Sequence, residues 1–335
     1  APVKVHVTGV AGLIGSHLTR RWLDRGAVVT ASDDLSAGYE DNIPAGIEFT
    51  RADCANLDAM VAATRGCEVV YHLAAFPHEG LSVFSPNLIA RSIFDSSMAV
   101  FTASIVNKVR RVICASSMAR YGAQEFPFRE EQPPRPDDPY GVAKVACEWE
   151  LRLLAKIHGF EHVIAVPHNV IGIGQRYNDP YRNVAAIMIN RCLRGQPPII
   201  YGDGEQRRCF SFVGDAVDCL ERMATAPVDG EIINIGPDEQ FVSINDLAAL
   251  VMRLCSYTGP SPVHVPARPQ EVRFATCSAD KARKLLDYRT TMELEPGLRG
   301  MIAWISSRGP MPFQYHLPLE IVNERTPTTW TERQL

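Results

Sequence analysis

The sequence has no basic excess, no pair of cysteines spaced C-x-x-C, no internal repeat and no low-complexity segment. Its 38 Asp and Glu residues outnumber its 34 Lys and Arg residues, which gives a formal net charge of -4 at pH 7. Because no positive surplus is available to neutralise phosphates, we expect no binding to nucleic acid. The nine scattered cysteines argue against a disulfide framework or a zinc site and favour reduced thiols in a cytoplasmic protein.

Long apolar runs and metal-type clusters are also missing. No run of apolar residues approaches the roughly 20 that a membrane-spanning helix needs, so we expect no membrane partner. The opening segment leads straight into a strand-like run, without the layout of a signal peptide. No histidine–carboxylate cluster occurs at metal-ligand spacing, and we expect no metal site.

The composition is that of an ordinary globular protein, with 46% hydrophobic and 21% charged residues. In the first half, apolar β-rich runs alternate with segments of helical periodicity. Such alternation is typical of a parallel sheet covered on both faces, which right-handed crossovers turn into a doubly wound α/β fold. The expected strands are Val3–Val7, Ala27–Ser32, Ile47–Thr50, Val69–Leu73, Val112–Ala115 and Val163–Val166. The expected helices are Gly12–Arg25, Leu57–Thr64, Leu88–Asn107 and Pro139–Ile157.

The pattern becomes less regular after the sixth strand. Loops rich in Gly, Pro and Asn, at Gly172–Asn183 and Pro197–Arg208, alternate with helices at Val184–Leu193 and Asp215–Ala224. We therefore predict three parts: a first domain over residues 1–167, to which a segment near 210–240 returns, a smaller α/β lobe over 168–308, and an extended tail over 309–335.

A glycine-rich turn follows the first predicted strand. Gly9, Gly12 and Gly15 are spaced G-x-x-G-x-x-G where the strand gives way to a helix, with Leu13 and Ile14 before the last glycine. The first glycine permits a tight turn, the second a close approach of the backbone to a pyrophosphate, and the third close packing of helix and strand. This context predicts a Rossmann dinucleotide-binding domain.

Acidic residues at the end of the second strand indicate which dinucleotide is bound. Asp33 and Asp34 lie about 20 residues after the turn, where a carboxylate accepts hydrogen bonds from ribose hydroxyls and repels a 2′-phosphate. This favours NAD over NADP as the cofactor. Further cofactor contacts are expected at the ends of the third and fourth strands, from Asp53, Cys54, Leu73, Ala74 and Ala75.

Three polar side chains form a candidate catalytic set. Tyr140 and Lys144 lie four residues apart on a predicted helix, which places them on one face. The lysine ammonium favours the phenolate form of Tyr140, a base at neutral pH. Ser117 follows the fifth strand, and the carboxyl ends of parallel strands form the ligand crevice. Ser117 can there hydrogen-bond the hydroxyl that Tyr140 deprotonates.

These motifs, with Ser116–Gly122 (SSMARYG) and Asp138–Lys144 (DPYGVAK), resemble the extended short-chain dehydrogenase/reductase family over about residues 3–305. Within that family, the pattern is most similar to that of nucleotide-sugar 4-epimerases of the UDP-glucose type. The resemblance implies that Tyr140 is the base, that Lys144 positions the nicotinamide ribose, and that Ser117 bridges to the sugar 4-hydroxyl.

The resemblance also implies contacts from the second lobe. The strand-end motif HNVIG places His168 at the cofactor and Asn169 at the substrate diphosphate, and Asn183 opens a helix near the phosphates. Arginine suits a diphosphate because it supplies planar, bidentate donors. The expected substrate contacts are Ser117, Met118, Asn169, Asn183, Tyr201, Arg208, Arg268 and Glu271. A homodimer through a four-helix bundle, built from the helices Leu88–Asn107 and Pro139–Ile157, is implied as well.

The residues after Ser117 distinguish between the reactions of this family. All of these reactions begin when the tyrosine takes the 4-hydroxyl proton while the C4 hydride moves to NAD⁺. The family's 4,6-dehydratases and UDP-glucuronate decarboxylases carry acidic residues at the places of Met118 and Ala119, neither of which can transfer a proton. The sequence therefore favours 4-epimerisation of an NDP-hexose, of the UDP-glucose/UDP-galactose type, through a transient 4-keto sugar.

Three alternatives stay open. A UDP-uronate 4-epimerase follows if Arg120 or Arg176 meets a C6 carboxylate, although one of them can equally pack on the surface and the other pair with an acid. An NAD-linked 4-ketoreductase or a dehydratase of the same family is the second. The third, a protein that keeps NAD only as a redox sensor, is opposed by the retained tyrosine and lysine. The segments Phe76–Gly80 and Ser92–Ser97 depart from the family pattern, which indicates an unusual sugar or a divergent branch.

Overall fold

The computed structural model describes residues 2–269 and 271–335. The strands are β1 (Lys4–Thr8), β2 (Val28–Asp33), β3 (Glu48–Arg51), β4 (Val69–His72), β5 (Arg111–Ala115), β6 (Glu161–Pro167), β7 (Val170–Ile171), β8 (Ile199–Tyr201), β9 (Arg207–Arg208), β10 (Ser211–Phe212), β11 (Ile232–Ile235), β12 (Val242–Ser243) and β13 (Val263–Val265). The helices are α1 (Leu13–Asp24), α2 (Leu57–Ala63), α3 (Glu79–Ser82), α4 (Pro86–Val106), α5 (Pro139–His158), α6 (Val184–Leu193), α7 (Val213–Met223), α8 (Ile244–Leu254), α9 (Asp280–Leu286), α10 (Leu294–Arg308) and α11 (Thr328–Thr331).

A seven-stranded parallel sheet, in the order β11-β6-β5-β4-β1-β2-β3, organises the protein. Successive side chains of each strand point to opposite faces. Val5 and Tyr71 therefore join a core beneath α1 and α7, whereas Val70 and Val112 join a second core beneath α2, α4 and α5. The doubly wound parallel fold predicted from the sequence is confirmed.

The sheet brings its ligand-binding edge together with a second lobe. The chain leaves the sheet after β6 and returns to it at β11, which pairs with β6. The lobe has its own apolar core, in which α6, α8 and α10 pack together. Within Pro197–Arg208, where the sequence predicts a loop, the structure has the short strands β8 and β9, which pair with β13 and β12. Strands of only two or three residues show too little hydrophobic periodicity to be predicted from the sequence.

The expectation that no segment is apolar enough to span a membrane is wrong for one helix. By length and composition α4 passes that test, although half of its most apolar window is buried inside the protein. The charged residues Arg91 and Asp95 interrupt its sequence, which is why no continuous apolar run is visible. Because α4 packs against α5 and α2, it resembles the core helix of a globular domain.

The last segment, 309–335, has little regular structure but is not detached. Leu317 and Trp330 are buried in a cluster with residues of α3, α4 and α5. The carbonyl oxygens of Leu317 and Pro318 accept hydrogen bonds from Tyr181 Oη (3.0 Å) and Ser85 Oγ (2.7 Å). The segment therefore covers the junction between the sheet domain and the second lobe.

Candidate active site

A cavity of about 670 Å³ opens along the carboxyl ends of the sheet strands and extends into the second lobe. This is where a doubly wound sheet is expected to bind its ligand, because the loops after the strands diverge there. Every residue that the sequence assigns to catalysis, cofactor or substrate lines this cavity. Their individual roles stay predictions, but the fold brings all of them to one place.

The glycine turn forms a cradle that only glycine permits. Gly9 has φ +77°, in the left-handed region, and a Cβ there would lie 3.0 Å from Ala74 Cα. A Cβ on Gly15 would lie 2.2 Å from the Gly9 carbonyl oxygen. The glycine turn therefore packs tightly against the first turn of α1. The first amide groups of this helix have no partner within the helix and are free to bind a ligand. This geometry fits a bound pyrophosphate.

The two aspartates after β2 have different environments. Asp33 is buried and accepts hydrogen bonds from the amides of Ala11 (2.9 Å) and Leu35 (2.8 Å), so its carboxylate ties the glycine turn to the strand end. Burial raises the pKa of Asp33 above its usual value, and these amides oppose the rise. Asp34 is exposed and accepts hydrogen bonds from Ser36. Each carboxylate keeps acceptor capacity for a ribose hydroxyl.

Thr8 is a supporting residue that the sequence analysis missed. Its Oγ1 accepts hydrogen bonds from the amides of Leu73 (2.9 Å) and Ala74 (3.0 Å), and it lies 2.9 Å from His72 Nδ1. These contacts join the ends of β1 and β4, which form adjacent walls of the cavity. No sequence motif distinguishes this threonine from other buried strand residues.

The predicted catalytic set is assembled at the start of α5. Asp138 caps this helix by accepting a hydrogen bond of 2.7 Å from Gly141 N. One turn on, Lys144 Nζ donates to the Ala115 carbonyl oxygen (2.9 Å) and lies 5.9 Å from the centroid of the Tyr140 ring. The Tyr140 and Lys144 side chains are buried, so the helix holds both groups in fixed positions.

Ser117 extends this set from the end of β5. It caps a short 3-10 turn by accepting a hydrogen bond from Ala119 N (3.1 Å), and its side chain lines the cavity. A Cβ on Gly141 would lie 2.7 Å from the Ala119 carbonyl oxygen, so glycine lets α5 approach this turn closely. This close approach brings the turn that Ser117 caps next to α5, the helix that carries Tyr140.

Three of the predicted substrate contacts form a compact charged group in the wall of the cavity. Glu271 accepts hydrogen bonds from both Arg208 (3.2 Å) and Arg268 (2.9 Å). The Arg268 guanidinium also stacks on the Tyr201 ring, 4.6 Å from its centroid. Burial lowers the pKa of Arg208, and Glu271 opposes this shift. Two planar cations are thus held side by side with one carboxylate between them.

Asn169, Asn183 and His168 line the cavity, but their side chains also make hydrogen bonds to neighbouring loops. Asn169 and Asn183 have φ of 45° and 72°, which asparagine tolerates better than most residues. Asn169 Nδ2 donates to Cys209 O, and Asn183 Oδ1 accepts from Gln175 Nε2. His168 Nε2 hydrogen-bonds Pro237 O (3.1 Å). Their contacts with cofactor or substrate stay predictions.

Of the two arginines considered for a C6 carboxylate, Arg120 is excluded by its position. It is buried outside the cavity, and its Nε and Nη2 atoms bind the two carboxylate oxygens of Glu148 at 2.9 and 3.1 Å. Arg176 lines the cavity, but it donates to Ser36 O and Gln314 Oε1. The alternative in which Arg120 pairs with an acid is therefore the observed one.

Glu79 and Arg182 are among the charged residues of the cavity that were not singled out from the sequence. Glu79 is exposed to the open cavity, but the protein around the cavity desolvates its carboxyl. This desolvation and, next, the charge of Asp138 raise the pKa of Glu79 to about 7, while Arg208 and Arg268 oppose the shift. Burial lowers the pKa of Arg182, and the groups that offset the shift are Asp179, Tyr140 and Glu79. The unusual segment Phe76–Gly80 was the only sequence signal that pointed here.

Comparisons with known proteins agree with this geometry. The model of the NAD dependent epimerase/dehydratase family matches residues 5–236. A UDP-glucose 4-epimerase of Mycolicibacterium smegmatis is 29% identical over 317 residues, which cover 91% of this chain and 99% of that protein. The crystal structure of a UDP-glucose 4-epimerase from Thermotoga maritima with UDP-glucose superposes with a TM-score of 0.85 at 30% identity, covering 91% and 99% of the chains. A UDP-glucuronic acid 4-epimerase from Bacillus cereus, in complex with UDP-glucuronic acid and NAD, gives a TM-score of 0.84 at 26% identity and covers 92% and 100%.

Proposed function

The chain belongs to the NAD dependent epimerase/dehydratase family, and on that premise we propose that it inverts C4 of a nucleotide sugar of the UDP-glucose/UDP-galactose type. The reaction passes through a transient 4-keto sugar. The observation that carries the proposal is that Ser117, Tyr140 and Lys144 line one cavity together with the glycine cradle and the arginines Arg208 and Arg268.

The cradle and its neighbours fit NAD. Gly9, Gly12 and Gly15 leave room for the pyrophosphate, and Asp33 stands where an adenosine ribose would present its hydroxyls. Lys144, whose ammonium is fixed by its hydrogen bond to the Ala115 carbonyl oxygen, is the residue that we assign to the nicotinamide ribose. When bound, NAD supplies the oxidant that takes hydrogen from C4 and later returns it.

The side chains of the catalytic set provide proton transfer and orientation. Tyr140 removes the proton of the sugar 4-hydroxyl and returns it at the end of the cycle. The Lys144 ammonium, close to the phenol ring, stabilises the phenolate with which Tyr140 begins the cycle and which forms again when the proton is returned. Ser117 both donates and accepts hydrogen bonds, so it can hold the 4-oxygen as a hydroxyl and as a ketone.

Inversion requires that the sugar turn while the nucleotide stays bound. Arg208 and Arg268 supply planar donors for the diphosphate and are already positioned by Glu271. Met118 and Phe76 line the cavity with apolar side chains, which make no directional bonds that would fix one face of the sugar. Firm phosphate anchors and a loosely held hexose favour rotation of the 4-keto sugar.

Epimerisation is preferred to dehydration or decarboxylation because of the residues beside Ser117. Met118 and Ala119 cannot donate the proton that expulsion of the 6-hydroxyl needs. Glu79 is a cavity carboxyl, but the charges that act on it are those of Asp138 and the phosphate-binding arginines. We therefore assign Glu79 to a position between Asp138, at the start of α5, and the two arginines Arg208 and Arg268.

A UDP-uronate is the second candidate substrate, and Arg182 is the observation that favours it. This arginine lines the cavity, and Tyr140 is among the groups whose charge acts on its guanidinium. A C6 carboxylate lies next to C5, one carbon from the reacting C4, so an arginine close to Tyr140 can bind it. The carboxylate would compensate a desolvated positive charge.

Product analysis with a panel of nucleotide sugars tests the proposed function. UDP-, GDP-, CDP- and dTDP-hexoses and UDP-glucuronate are incubated with the purified protein, and the products are identified by proton NMR. We expect interconversion at C4 for UDP-glucose and UDP-galactose. C4 inversion of UDP-glucuronate alone would favour the second candidate. A 4-keto-6-deoxy sugar, a decarboxylated product or no turnover on any sugar would contradict C4 epimerisation.

The proposal includes a homodimer through α4 and α5. Val142, Trp149, Leu153 and Ile157 occupy one face of α5 at intervals of seven, four and four residues, and between 54% and 71% of each is exposed. A contiguous apolar face of this kind is typical of an interface between subunits. Because α4 packs beside α5, a second copy would complete a bundle of four helices. Cytoplasmic localisation stays a prediction.

A further inference from the structure

One hydrogen bond connects the segment 309–335 to the charged group in the cavity wall. Thr329 lies in α11, and its Oγ1 is 2.6 Å from Oη of Tyr201, the last residue of β8. The ring of this tyrosine carries the Arg268 guanidinium on its face. We propose that Thr329 positions Tyr201 and, through it, Arg268, so that the segment 309–335 sets the affinity of the site for a nucleoside diphosphate.

Glu271 constrains Arg268 from one side. Its Oε2 accepts hydrogen bonds from Nε and Nη2 of Arg268, at 3.1 and 2.9 Å, while its Oε1 accepts from Arg208. The Arg268 side chain is 29% exposed, and an ion pair that water reaches is weak because solvent screens it. The stack on Tyr201, with the guanidinium carbon 4.6 Å from the ring centroid, supplies the second constraint. The tilt of this ring therefore determines where the guanidinium points.

The contact with Thr329 fixes the tilt of the Tyr201 ring. The phenolic oxygen is the atom of the side chain farthest from the backbone, so a bond made there restricts the whole ring. Burial raises the pKa of Tyr201, so the phenol keeps its proton and one of the two hydroxyls donates to the other. Thr329 is only 1% exposed. A buried hydroxyl that loses its partner is costly, which holds the pair together.

Aromatic packing holds α11 in place on its other side. Trp330, the residue after Thr329, is 2% exposed. Its ring lies 5.3 Å from that of Tyr181 and 5.9 Å from that of Phe84, edge to face in both cases. Such pairs add to the stability that burial itself provides. Thr329 therefore stands on a fixed support, and its hydroxyl can act as an anchor for the tyrosine.

The segment also forms part of the cavity wall near Arg268. A Cβ on Gly80 would lie 3.7 Å from Arg268 Nη1 and 4.0 Å from the ring of Trp330, so the indole and the guanidinium lie beside the same glycine. Leu335 lines the cavity, and its amide donates to Tyr315 Oη (3.1 Å). The inference rests on the proposed function, because a nucleotide-sugar substrate is what brings a diphosphate to Arg268.

Binding of UDP tests the inference without turnover. Calorimetry on the full chain with NAD gives the Kd of UDP and of uridine, which has no phosphate, for the wild type, Thr329→Val and Tyr201→Phe. Each variant removes one of the two hydroxyls and keeps the shape of the side chain. We expect each to raise the Kd of UDP about three- to tenfold, the effect of losing one net hydrogen bond. The Kd of uridine should change by less than about twofold, because Arg268 is assigned to the diphosphate.

The double variant shows whether the two hydroxyls act through each other. If both act only through their mutual hydrogen bond, Thr329→Val/Tyr201→Phe should bind UDP no more weakly than either single variant. Thr329→Ser keeps the hydroxyl and should restore the affinity of the wild type. Single effects that multiply in the double variant would show that the hydroxyls act independently, which would overturn the proposed link.

Thr331→Val is the matched control. It makes the same substitution in the same helix, but Thr331 is exposed and its hydroxyl donates to the Thr328 carbonyl oxygen (3.4 Å). This variant should bind UDP as the wild type does. A merely structural role of Thr329 would weaken UDP and uridine binding alike, whereas a role through Arg268 weakens only that of UDP.

Three results would overturn the inference: a Thr329→Val variant with the UDP affinity of the wild type, equal losses for UDP and uridine, or a wild type that binds no UDP. The proposed function fails on a different result. A protein that binds UDP as described but inverts no nucleotide sugar at C4 would contradict the epimerase and leave the link from Thr329 to Arg268 intact.

Discussion

Lys144 donates a hydrogen bond of 2.9 Å from its ammonium to the carbonyl oxygen of Ala115. This contact joins the first turns of α5 to the end of β5, the strand that Ser117 follows. The lysine therefore has two roles: it fixes the helix that carries Tyr140 relative to the sheet, and it places a positive charge beside the phenol. The contact therefore helps to position the catalytic set, together with the close approach of α5 to the turn after Ser117.

Replacing Tyr140 with Phe removes the proposed base and leaves the ring in place. Loss of a general base reduces turnover by roughly 10²–10⁴-fold. We expect kcat to fall by this amount while nucleotide-sugar affinity, measured by calorimetry, changes little. Tyr257→Phe is a matched control, because Tyr257 lies in the second lobe outside the cavity. Turnover of Tyr140→Phe within a few-fold of wild type would exclude Tyr140 as the base.

Glu79 predicts a pH dependence of substrate binding. Its raised pKa, about 7, means that the carboxyl is mainly neutral below pH 7 and becomes charged above it. The charged form competes with the diphosphate for Arg208 and Arg268. KM should therefore rise between pH 6 and pH 8, by up to about tenfold, the equivalent of one pKa unit of interaction.

The variant Glu79→Gln stays neutral at every pH. Its KM should be nearly constant between pH 6 and pH 8 and should lie below that of the wild type at pH 8. Parallel pH profiles for the two proteins would show that Glu79 does not act on the diphosphate.

Gly15→Ala tests the steric basis of the cradle. The new Cβ would lie 2.2 Å from the Gly9 carbonyl oxygen, so the turn must shift. Such overpacking costs roughly 1–3 kcal/mol in the free energy of unfolding, and we expect less NAD in the purified protein as well. Gly214→Ala is the control, because its Cβ meets nothing within 4 Å and α7 should gain stability. Equal unfolding free energies and NAD contents for wild type and Gly15→Ala would contradict this account of the turn.

Trp149→Glu tests the proposed dimer. Trp149 is 60% exposed at the middle of the apolar face of α5, and a charge there opposes burial between subunits. By light scattering at micromolar concentration, we expect the wild type to have the mass of a dimer and the variant that of a monomer. Leu57→Glu, at the start of α2, adds the same charge elsewhere and should leave the dimer intact. A monomeric wild type would refute the interface.

Local sequence signals were sufficient for the sheet domain. α6 begins and ends at the residues predicted. α5 begins at the predicted Pro139, because the capping Asp138 and this proline mark its start, and it ends one residue later than predicted. The glycine turn, Tyr140 and Lys144 were recognisable because each belongs to a short motif with fixed spacing. A few neighbouring residues are enough to recognise each of these motifs.

Contacts between distant segments could not be predicted in this way. His78, Asp179 and His316 are far apart in the sequence and meet only because the segment 309–335 folds back over the cavity. The sequence left open whether Arg120 meets a C6 carboxylate or pairs with an acid, and in the structure it pairs with Glu148 from α5. In both cases, tertiary packing determines which side chains meet, and no local sequence pattern predicts these contacts.

Retention of the C4 hydrogen tests the central claim most directly. The UDP-sugar that the panel identifies as substrate is prepared with deuterium at C4 and converted in ordinary water, and the product is examined by NMR. An epimerase that oxidises C4 and reduces the same carbon on its other face must yield the C4 epimer with deuterium still at C4. An epimer that carries hydrogen from water at C4, or a labelled sugar whose C4 configuration never changes, would contradict the account.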